Sequence, residues 1–214
     1  MIFCEAGDHS LGSNRSNAVA SEEHLLVREI THRVNNELAA AIGVASLTAS
    51  RSKNDEVKVA LAGVIDVLFN FALVHRALQM PSQVAPLDAA EYLRSLCQCI
   101  SRSKLSHRGI QLVFVESPVQ LSSERCWRLG MIASELITNA ERHAFGDDGG
   151  TIRVELSSSG NFVMFRVADD GCFREPIVPG RGTKIIEALA RGLEGEITQK
   201  FAQNGAVSTL VFPH

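Results

Sequence analysis

The chain has few aromatic residues and no excess of charge of either sign. Its 214 residues contain one Trp, one Tyr and 6% aromatics in all, and the net charge is -3. A chain near neutrality has no electrostatic reason to bind nucleic acid or an anionic membrane surface. The scarcity of aromatic rings also argues against a surface that stacks bases. We therefore expect no nucleic-acid partner.

The chain shows neither CxxC spacing nor the pattern of a signal peptide, and we expect it to contain no membrane-spanning run. Its five cysteines are odd in number and mostly lie in apolar stretches, which is typical of reduced core residues in a cytosolic protein. No apolar run approaches the length of a membrane span, and residues 1–20 lack a basic start followed by an apolar stretch. We expect a soluble, cytoplasmic protein with no direct membrane span.

The first third of the chain has the periodicity of helices. Residues 1–20 are small, polar and patternless, which predicts a flexible lead-in. Helical patterns follow over about Ser21–Ala49 and Glu56–Gln79, with a short polar turn between them. Residues 21–80 are therefore predicted to form an antiparallel hairpin. Because two helices cannot bury both apolar faces alone, we expect two copies to form a four-helix bundle.

Residues 86–214 alternate helices with strands. Helices interspersed with mostly adjacent strands favour an α/β sandwich, in which one helical layer covers a mixed sheet, so the whole chain is predicted to be α+β. The helices are predicted near Asp88–Ser103, from the cap Ser122 to about Ala144, and over Lys184–Leu193; the strands over Ile110–Val115, Thr151–Leu156, Phe162–Val167, Glu196–Phe201 and Val207–Phe212.

One predicted helix carries a polar row beside its apolar stripe. Glu135, Asn139, Arg142 and His143 fall on one face of the segment ASELITNAERHAF. Carboxylate and amide oxygens suit Mg²⁺, while Arg and His suit phosphate oxygens. The row is equally typical of a solvated helix face with one salt bridge. The separate apolar stripe consists of Leu129, Ile132, Leu136 and Ala140.

Three further features suggest chemistry, and each has a plainer interpretation. Asp169 and Gly171 in VADDG follow a strand, where a carboxylate can accept a hydrogen bond from a ligand amine, although D-D-G is also an ordinary turn. Gly180 and Gly182 open a helix, as in a phosphate cradle or a simple loop. His32 lies nearly opposite an apolar stripe, so it is either an exposed nucleophile or an incidental surface histidine.

Taken in order, these segments resemble the catalytic core of two-component sensor histidine kinases, within the subfamily whose phosphoacceptor box reads H-R-V-x-N. HRVNNEL, ELITNAERHAF, VADDG and GRGTKIIEALARGLEGEI follow one another within residues 22–212. The resemblance implies that 21–80 is a dimerisation and histidine-phosphotransfer domain. It implies that 86–214 is an ATP-binding domain of the type found in gyrase, Hsp90 and MutL. ATP and Mg²⁺ are then the cofactors, and a response regulator receiver domain is the partner.

The resemblance also implies roles for single residues. His32 becomes the phosphoacceptor, and Asn36, one turn later, could orient a water beside the phosphorylated aspartate of a docked receiver. Asn36 is otherwise a solvated helix residue. Glu135 and Asn139 become the N-box pair, with Glu135 as a catalytic residue and Asn139 on Mg²⁺. The remaining implied nucleotide-binding residues are Arg142 and His143 beside the phosphates, Asp169 on the adenine, its companion Gly171, and Gly180 and Gly182 in the second phosphate-side loop.

Two departures from the family keep a second function open. Phe173 stands where a second glycine is usual, and the nucleotide-covering segment Cys172–Pro179 is short and contains two prolines. The chain is thus either an autophosphorylating kinase or a phosphotransferase or response-regulator phosphatase with a degenerate nucleotide site; an unrelated ATPase or chaperone-like role is the remaining alternative. Because the hairpin begins near residue 21, a separate sensor protein is expected to supply the signal, unless the chain is a fragment.

Overall fold

A computed structural model describes residues 11–79, 85–146, 148–172 and 181–214, and within these it describes no side chains for residues 11–28, 31, 32 and 181. The elements are α1 (Leu11–Arg51), α2 (Asp55–Ala77), β1 (Pro86–Asp88), α3 (Ala89–Ile100) with a π-helical turn (Ser101–Leu105) and a 3-10 turn (Ser106–Arg108), β2 (Ile110–Glu116), β3 (Gln120–Ser122), α4 (Ser123–His143), β4 (Gly150–Ser159), β5 (Phe162–Asp169), α5 (Arg181–Gly192), β6 (Glu196–Ala202) and β7 (Gly205–Pro213).

Helices α1 and α2 pack against each other as the predicted hairpin. The side chain of Asn54 caps α2 by accepting a hydrogen bond from the backbone N–H of Glu56 at 2.9 Å. The predicted start of the first helix at Ser21 is wrong, because α1 already begins at Leu11. Beyond Gly12 no proline or glycine interrupts the chain before Ser21, so nothing there breaks the helical hydrogen bonding. Residues 1–10 of the predicted lead-in lie outside the described residues.

The hairpin leaves much of its apolar surface exposed. Among the described residues, one helix, α2, is long and apolar enough to cross a membrane by length and composition alone. The expectation that no apolar run reaches that length therefore does not hold for α2. A second hairpin could cover the same surface, so this property does not distinguish a membrane span from a dimer interface. The large exposed apolar side chains of the hairpin are Ile30, Val44, Leu47, Val57, Val59, Val64 and Phe69.

The rest of the chain forms a two-layer sandwich, which confirms the predicted fold class. Five strands pair in the order β2-β4-β5-β7-β6; β2 and β4 are parallel and the other pairs are antiparallel. Helices α3, α4 and α5 supply buried residues to one core together with the sheet. Two short strands, β1 and β3, form a separate antiparallel pair. The sequence analysis missed these two because three residues carry too little alternation to be recognised.

Helix α4 is the middle of this core. Its N-cap is Ser122, as predicted, whose side chain accepts a hydrogen bond from the backbone N–H of Arg125 at 3.3 Å. All four residues of the predicted apolar stripe are buried, and Leu129 and Ile132 have no exposed surface. The polar row runs beside this stripe on α4, and none of its four residues is fully buried.

The cysteines of the described part of the chain are free. Cys97 and Cys126 are buried in the core, whereas Cys172 is exposed. Burial raises the pKa of the Cys97 thiol to about 12, so this side chain stays protonated and unreactive at neutral pH. The prediction of reduced core cysteines is thus confirmed for Cys97 and Cys126, and Cys4 lies outside the described residues.

Two aromatic side chains of the sandwich hold the end of the hairpin. The phenol of Tyr92 donates to the carbonyl of Ala77 at 2.9 Å, and the indole N–H of Trp127 donates to the carbonyl of Leu78 at 2.8 Å. These carbonyls at the end of α2 lack partners within the helix. Burial raises the pKa of the Tyr92 phenol, which therefore keeps its proton. Gly130 makes room for this ring, since a Cβ there would lie 2.4 Å from the Tyr92 hydroxyl.

We expect Gly130→Ala to displace Tyr92 and loosen this junction. Overpacking costs about 1–3 kcal/mol, and the better helix propensity of Ala regains at most about 1 kcal/mol. The variant should therefore have a lower free energy of unfolding in urea and altered native-state fluorescence from Trp127, the only Trp of the chain. Gly63→Ala in α2, where a Cβ meets nothing within 4 Å, is the control and should be neutral or stabilising. Equal stability of the two variants would contradict the conclusion that Gly130 makes room for the Tyr92 ring.

Candidate nucleotide and phosphoacceptor site

The polar row predicted on α4 is accessible. Glu135 and Asn139 are half-buried, and Arg142 and His143 are exposed in the last turn of the helix. Cations in this position interact favourably with the carboxyl end of the helix dipole. Within the described residues, none of these four side chains has a hydrogen-bond or ion-pair partner, so the row is free to contact a ligand.

The start of α5 approaches the row. A Cβ at Gly182 would lie 3.1 Å from Oε2 of Glu135 and 3.9 Å from Nδ2 of Asn139. The structure therefore brings these three predicted site residues together, and the glycine leaves a narrow space between the two helices. The predicted Gly180 lies outside the described residues, as does the rest of 173–180.

Asp169 closes β5 with its carboxylate held by two backbone groups. Its Oδ1 accepts hydrogen bonds from the N–H groups of Gly171 and Ala206, both at 3.2 Å. Burial raises the pKa of Asp169; the two backbone hydrogen bonds oppose the rise, and the neighbouring Asp170 adds to it. Because both bonds found among the described residues go to Oδ1, the other carboxylate oxygen is available to accept from a ligand amine.

Gly171 joins this carboxylate to α4. It is buried, and a Cβ at this position would lie 2.3 Å from the carbonyl oxygen of Ala144. The next residue, Cys172, donates its backbone N–H to the same carbonyl at 2.9 Å. Only glycine permits the approach, and the contact puts Asp169 at the end of α4 where the polar row lies.

Two residues that support Asp169 were not predicted from the sequence. Gly205 has a φ of +128°, and a Cβ there would lie 2.0 Å from the Asp169 carbonyl oxygen. Ala206 supplies one of the two N–H donors to the carboxylate. The place of both residues beside Asp169 follows from the pairing of β5 with β7, which local sequence does not reveal.

The predicted phosphoacceptor lies on the other part of the molecule. His32 belongs to α1, and its side chain is outside the described set. Asn36 follows one helical turn later and is exposed, while Arg33 on the same segment pairs with Glu29 at 3.1 Å. The roles predicted for His32 and Asn36 stay predictions.

The side-chain oxygens of Glu135 and Asn139 suit Mg²⁺ if phosphate oxygens supply further ligands. Within the ranges that the structure describes, no group of three or more His, Cys, Asp or Glu side chains could hold a metal ion. Glu135 and Asn139 supply carboxylate and amide oxygens, and Mg²⁺ is commonly held by one or two such ligands together with phosphate oxygens. The residues thus fit a metal that arrives with a polyphosphate.

Comparison with known proteins shows which family the chain resembles. The sequence model of a family described as histidine kinase matches residues 29–104. The chain is 30% identical over 159 residues to the sensor histidine kinase PdtaS of Mycobacterium tuberculosis, covering 73% of this chain and 31% of that protein. These matches identify a histidine kinase core in this chain. The chain is also 27% identical over 218 residues to blue-light-activated histidine kinase 2 of Erythrobacter litoralis, covering 95% of this chain.

The solved structures agree on the fold. The histidine kinase domain of a blue-light activated histidine kinase from Erythrobacter litoralis superposes with a TM-score of 0.58 at 22% identity, covering 85% of this chain and 95% of that domain. The chain spans 61% of the length of its Erythrobacter relative and 31% of the mycobacterial one. A histidine kinase core is therefore shared with these longer proteins.

We expect Asp169→Asn to change how stability depends on pH. A carboxyl group with a raised pKa in the fold contributes most below its ordinary pKa, and the contribution is lost as pH rises through the raised value. Asparagine keeps an oxygen that can accept from Gly171 and Ala206 but carries no charge. Relative to the parent, the variant should gain in free energy of unfolding as the pH increases from acid to neutral.

Urea unfolding of parent and variant at several pH values measures this difference. Asp170→Asn is the matched control, because Asp170 is the exposed carboxylate next along the chain and its replacement leaves the Asp169 carboxyl in place. The stability of this control should follow that of the parent more closely across the same pH range. A difference between Asp169→Asn and the parent that stays constant with pH, or falls toward neutrality, would contradict the raised pKa.

Proposed function

We propose that this core transfers the γ-phosphoryl group of Mg-ATP to His32 and passes it on to an aspartate of a response regulator receiver domain. The observation that carries the proposal is the space that Gly182 leaves against Glu135 and Asn139. The same half of α4 is joined through Gly171 to the carboxylate of Asp169. A carboxylate for the adenine amine and a polar row for the phosphates thus face one region.

Each residue has a distinct part in the proposed reaction. Asp169 accepts from the adenine amine, Asn139 is a ligand of Mg²⁺, and Arg142 and His143 neutralise phosphate charge. Bound Mg²⁺ supplies further charge neutralisation. Phosphoryl transfer depends mainly on in-line positioning and electrostatic stabilisation, which these groups provide. An imidazole nitrogen of His32 forms the new N–P bond while the bond from the γ-phosphorus to the ADP oxygen breaks. Glu135 is the carboxylate of the polar row that could take the imidazole proton.

The proposal includes a homodimer built through the hairpin, in the cytoplasm. Large apolar side chains such as Val59, Val64 and Phe69 are exposed on α2 of the single chain. Burial of apolar area stabilises by roughly 25 cal/mol per Å², so a second hairpin would find a favourable surface there. A symmetric pair of antiparallel hairpins gives the four-helix bundle expected from the sequence.

We expect the parent protein to become labelled when it is incubated with Mg²⁺ and ATP that carries labelled γ-phosphate. His32→Ala should abolish the label, because it removes the acceptor nitrogen. His75→Ala is the matched control, since His75 is an exposed histidine of the same hairpin, and it should keep the label. Asp169→Asn should bind ATP more weakly in calorimetry and be labelled more slowly.

The label itself identifies the acceptor. A phosphoryl group on histidine is lost in acid and retained in alkali, so stability in acid would point to another residue. Persistence of the label in His32→Ala would contradict the assigned acceptor. Absence of heat on titrating the parent with millimolar Mg-ATP would remove the kinase function altogether.

A second activity, dephosphorylation of the receiver, is favoured by one observation. Asn36 is exposed on α1 one turn after His32, where it could orient a water beside a phosphorylated aspartate of a docked partner. This activity needs no ATP, so it would survive a degenerate nucleotide site.

We expect Asn36→Ala to slow dephosphorylation of a cognate receiver domain by about a hundredfold or more, the lower end of the effect typical of a group that assists proton transfer. Transfer from phosphorylated His32 should change little, because the imidazole is untouched. Glu37→Ala, an exposed neighbour, is the control and should alter neither rate. Equal loss of both rates in Asn36→Ala would indicate a docking or folding role, and no loss of either would leave Asn36 as a solvated helix residue.

A further inference from the structure

A lysine from outside the predicted site residues reaches the polar row of α4. Lys104 lies in the π-helical turn Ser101–Leu105 that extends α3. Its Nζ donates a hydrogen bond to Oγ1 of Thr138 at 3.2 Å, and Thr138 immediately precedes Asn139 in α4. The ammonium group is also close enough to Glu135 and Arg142 of the row for their charges to act on it.

The charges around Lys104 do not balance it. Burial lowers the pKa of Lys104, and the adjacent Arg142 lowers it further, whereas Glu141 and Glu135 raise it. Glu141 is already engaged by Arg108, which donates to both its side chain and its backbone carbonyl. Within the described part of the chain, the positive charges of Lys104 and Arg142 are therefore balanced only by the single carboxylate of Glu135.

An anion between the two cations would relieve this repulsion. Arg142 is exposed and has no ion-pair partner among the described residues, and Lys104 is only half-buried. The Lys104 side chain is long and has rotatable bonds, so its ammonium group can leave Thr138 and turn toward the row. Charge-assisted hydrogen bonds from ammonium to phosphate oxygens are among the strong ones in proteins.

We propose that Lys104 is a further phosphate-binding residue of the nucleotide site, acting with Arg142 on the β- and γ-phosphates of ATP. The inference rests on the proposed function, since it assumes that the nucleotide binds along the polar row. The hydrogen bond to Thr138 then holds the ammonium group in reserve beside the site. π-Helical turns are rare and are frequently found at functional sites, which accords with a role for the turn that contains Lys104.

Calorimetry with Mg-ATP, Mg-ADP and AMP on the full chain separates phosphate binding from other effects. Lys104→Met keeps the length of the side chain and removes the charge. It should weaken ATP binding roughly ten- to hundredfold, the effect of losing a hydrogen bond to a charged group. ADP should be weakened less, and AMP, which lacks both outer phosphates, should bind as it does to the parent.

Two further variants test whether the charge or the contact with Thr138 matters. Lys104→Arg keeps a cation and should retain most of the ATP affinity. Thr138→Val removes the hydroxyl that holds the ammonium group but leaves the charge in place, so ATP affinity should change by less than about threefold, below the loss of a charged hydrogen bond. Unfolding in urea, followed by Trp fluorescence, verifies that each variant is folded, and Lys104→Gln serves if Lys104→Met is not.

The outcomes distinguish this inference from the proposed function. ATP binding by Lys104→Met equal to that of the parent would overturn the role of Lys104 and leave the kinase function intact. Equal weakening of ATP and AMP, matched by Thr138→Val, would also overturn it by showing that Lys104 only packs α3 against α4. A parent chain that binds none of the three nucleotides would overturn the proposed function and this inference together.

Discussion

The candidate site depends on one close contact, between Gly171 and the carbonyl end of α4. Without a Cβ, Gly171 can lie against the Ala144 carbonyl, and the N–H of Cys172 bonds to the same oxygen. This contact determines where β5 ends relative to the helix, and hence where the Asp169 carboxylate is held. Any larger side chain would separate the two halves of the proposed nucleotide site, although α4 and the sheet could each still form.

A second junction links the sandwich to the helical hairpin that carries the proposed phosphoacceptor. The hairpin that carries His32 is bonded to the sandwich through Tyr92 and Trp127, which take the last carbonyls of α2. These donors from the sandwich pair two carbonyls that the helix itself leaves without partners, where the end of α2 packs against the core. Because the junction lies at the base of the hairpin, it relates the proposed nucleotide site to the helices that carry His32.

Features with a local cause were predictable from the sequence. The polar row and apolar stripe of α4 follow from helical periodicity, and the stripe is buried as predicted. The cap Ser122 is a residue type that favours this position, and its side chain caps α4 as predicted. The order of helices and strands likewise predicted the fold class, which the structure confirms. Weak local signals were missed: the start of α1 at Leu11 has no distinctive residue, and β1 and β3 are too short to alternate.

The sequence by itself determined which chemical groups this protein carries and on which elements they lie, because helix and strand patterns repeat over a few residues. Only the tertiary structure decided which of those groups meet. Gly182 lies beside Glu135, Ala206 donates to Asp169, and Lys104 reaches Thr138. Each pair is separated by more than thirty residues, so its contact depends on strand pairing and helix packing rather than on any local pattern.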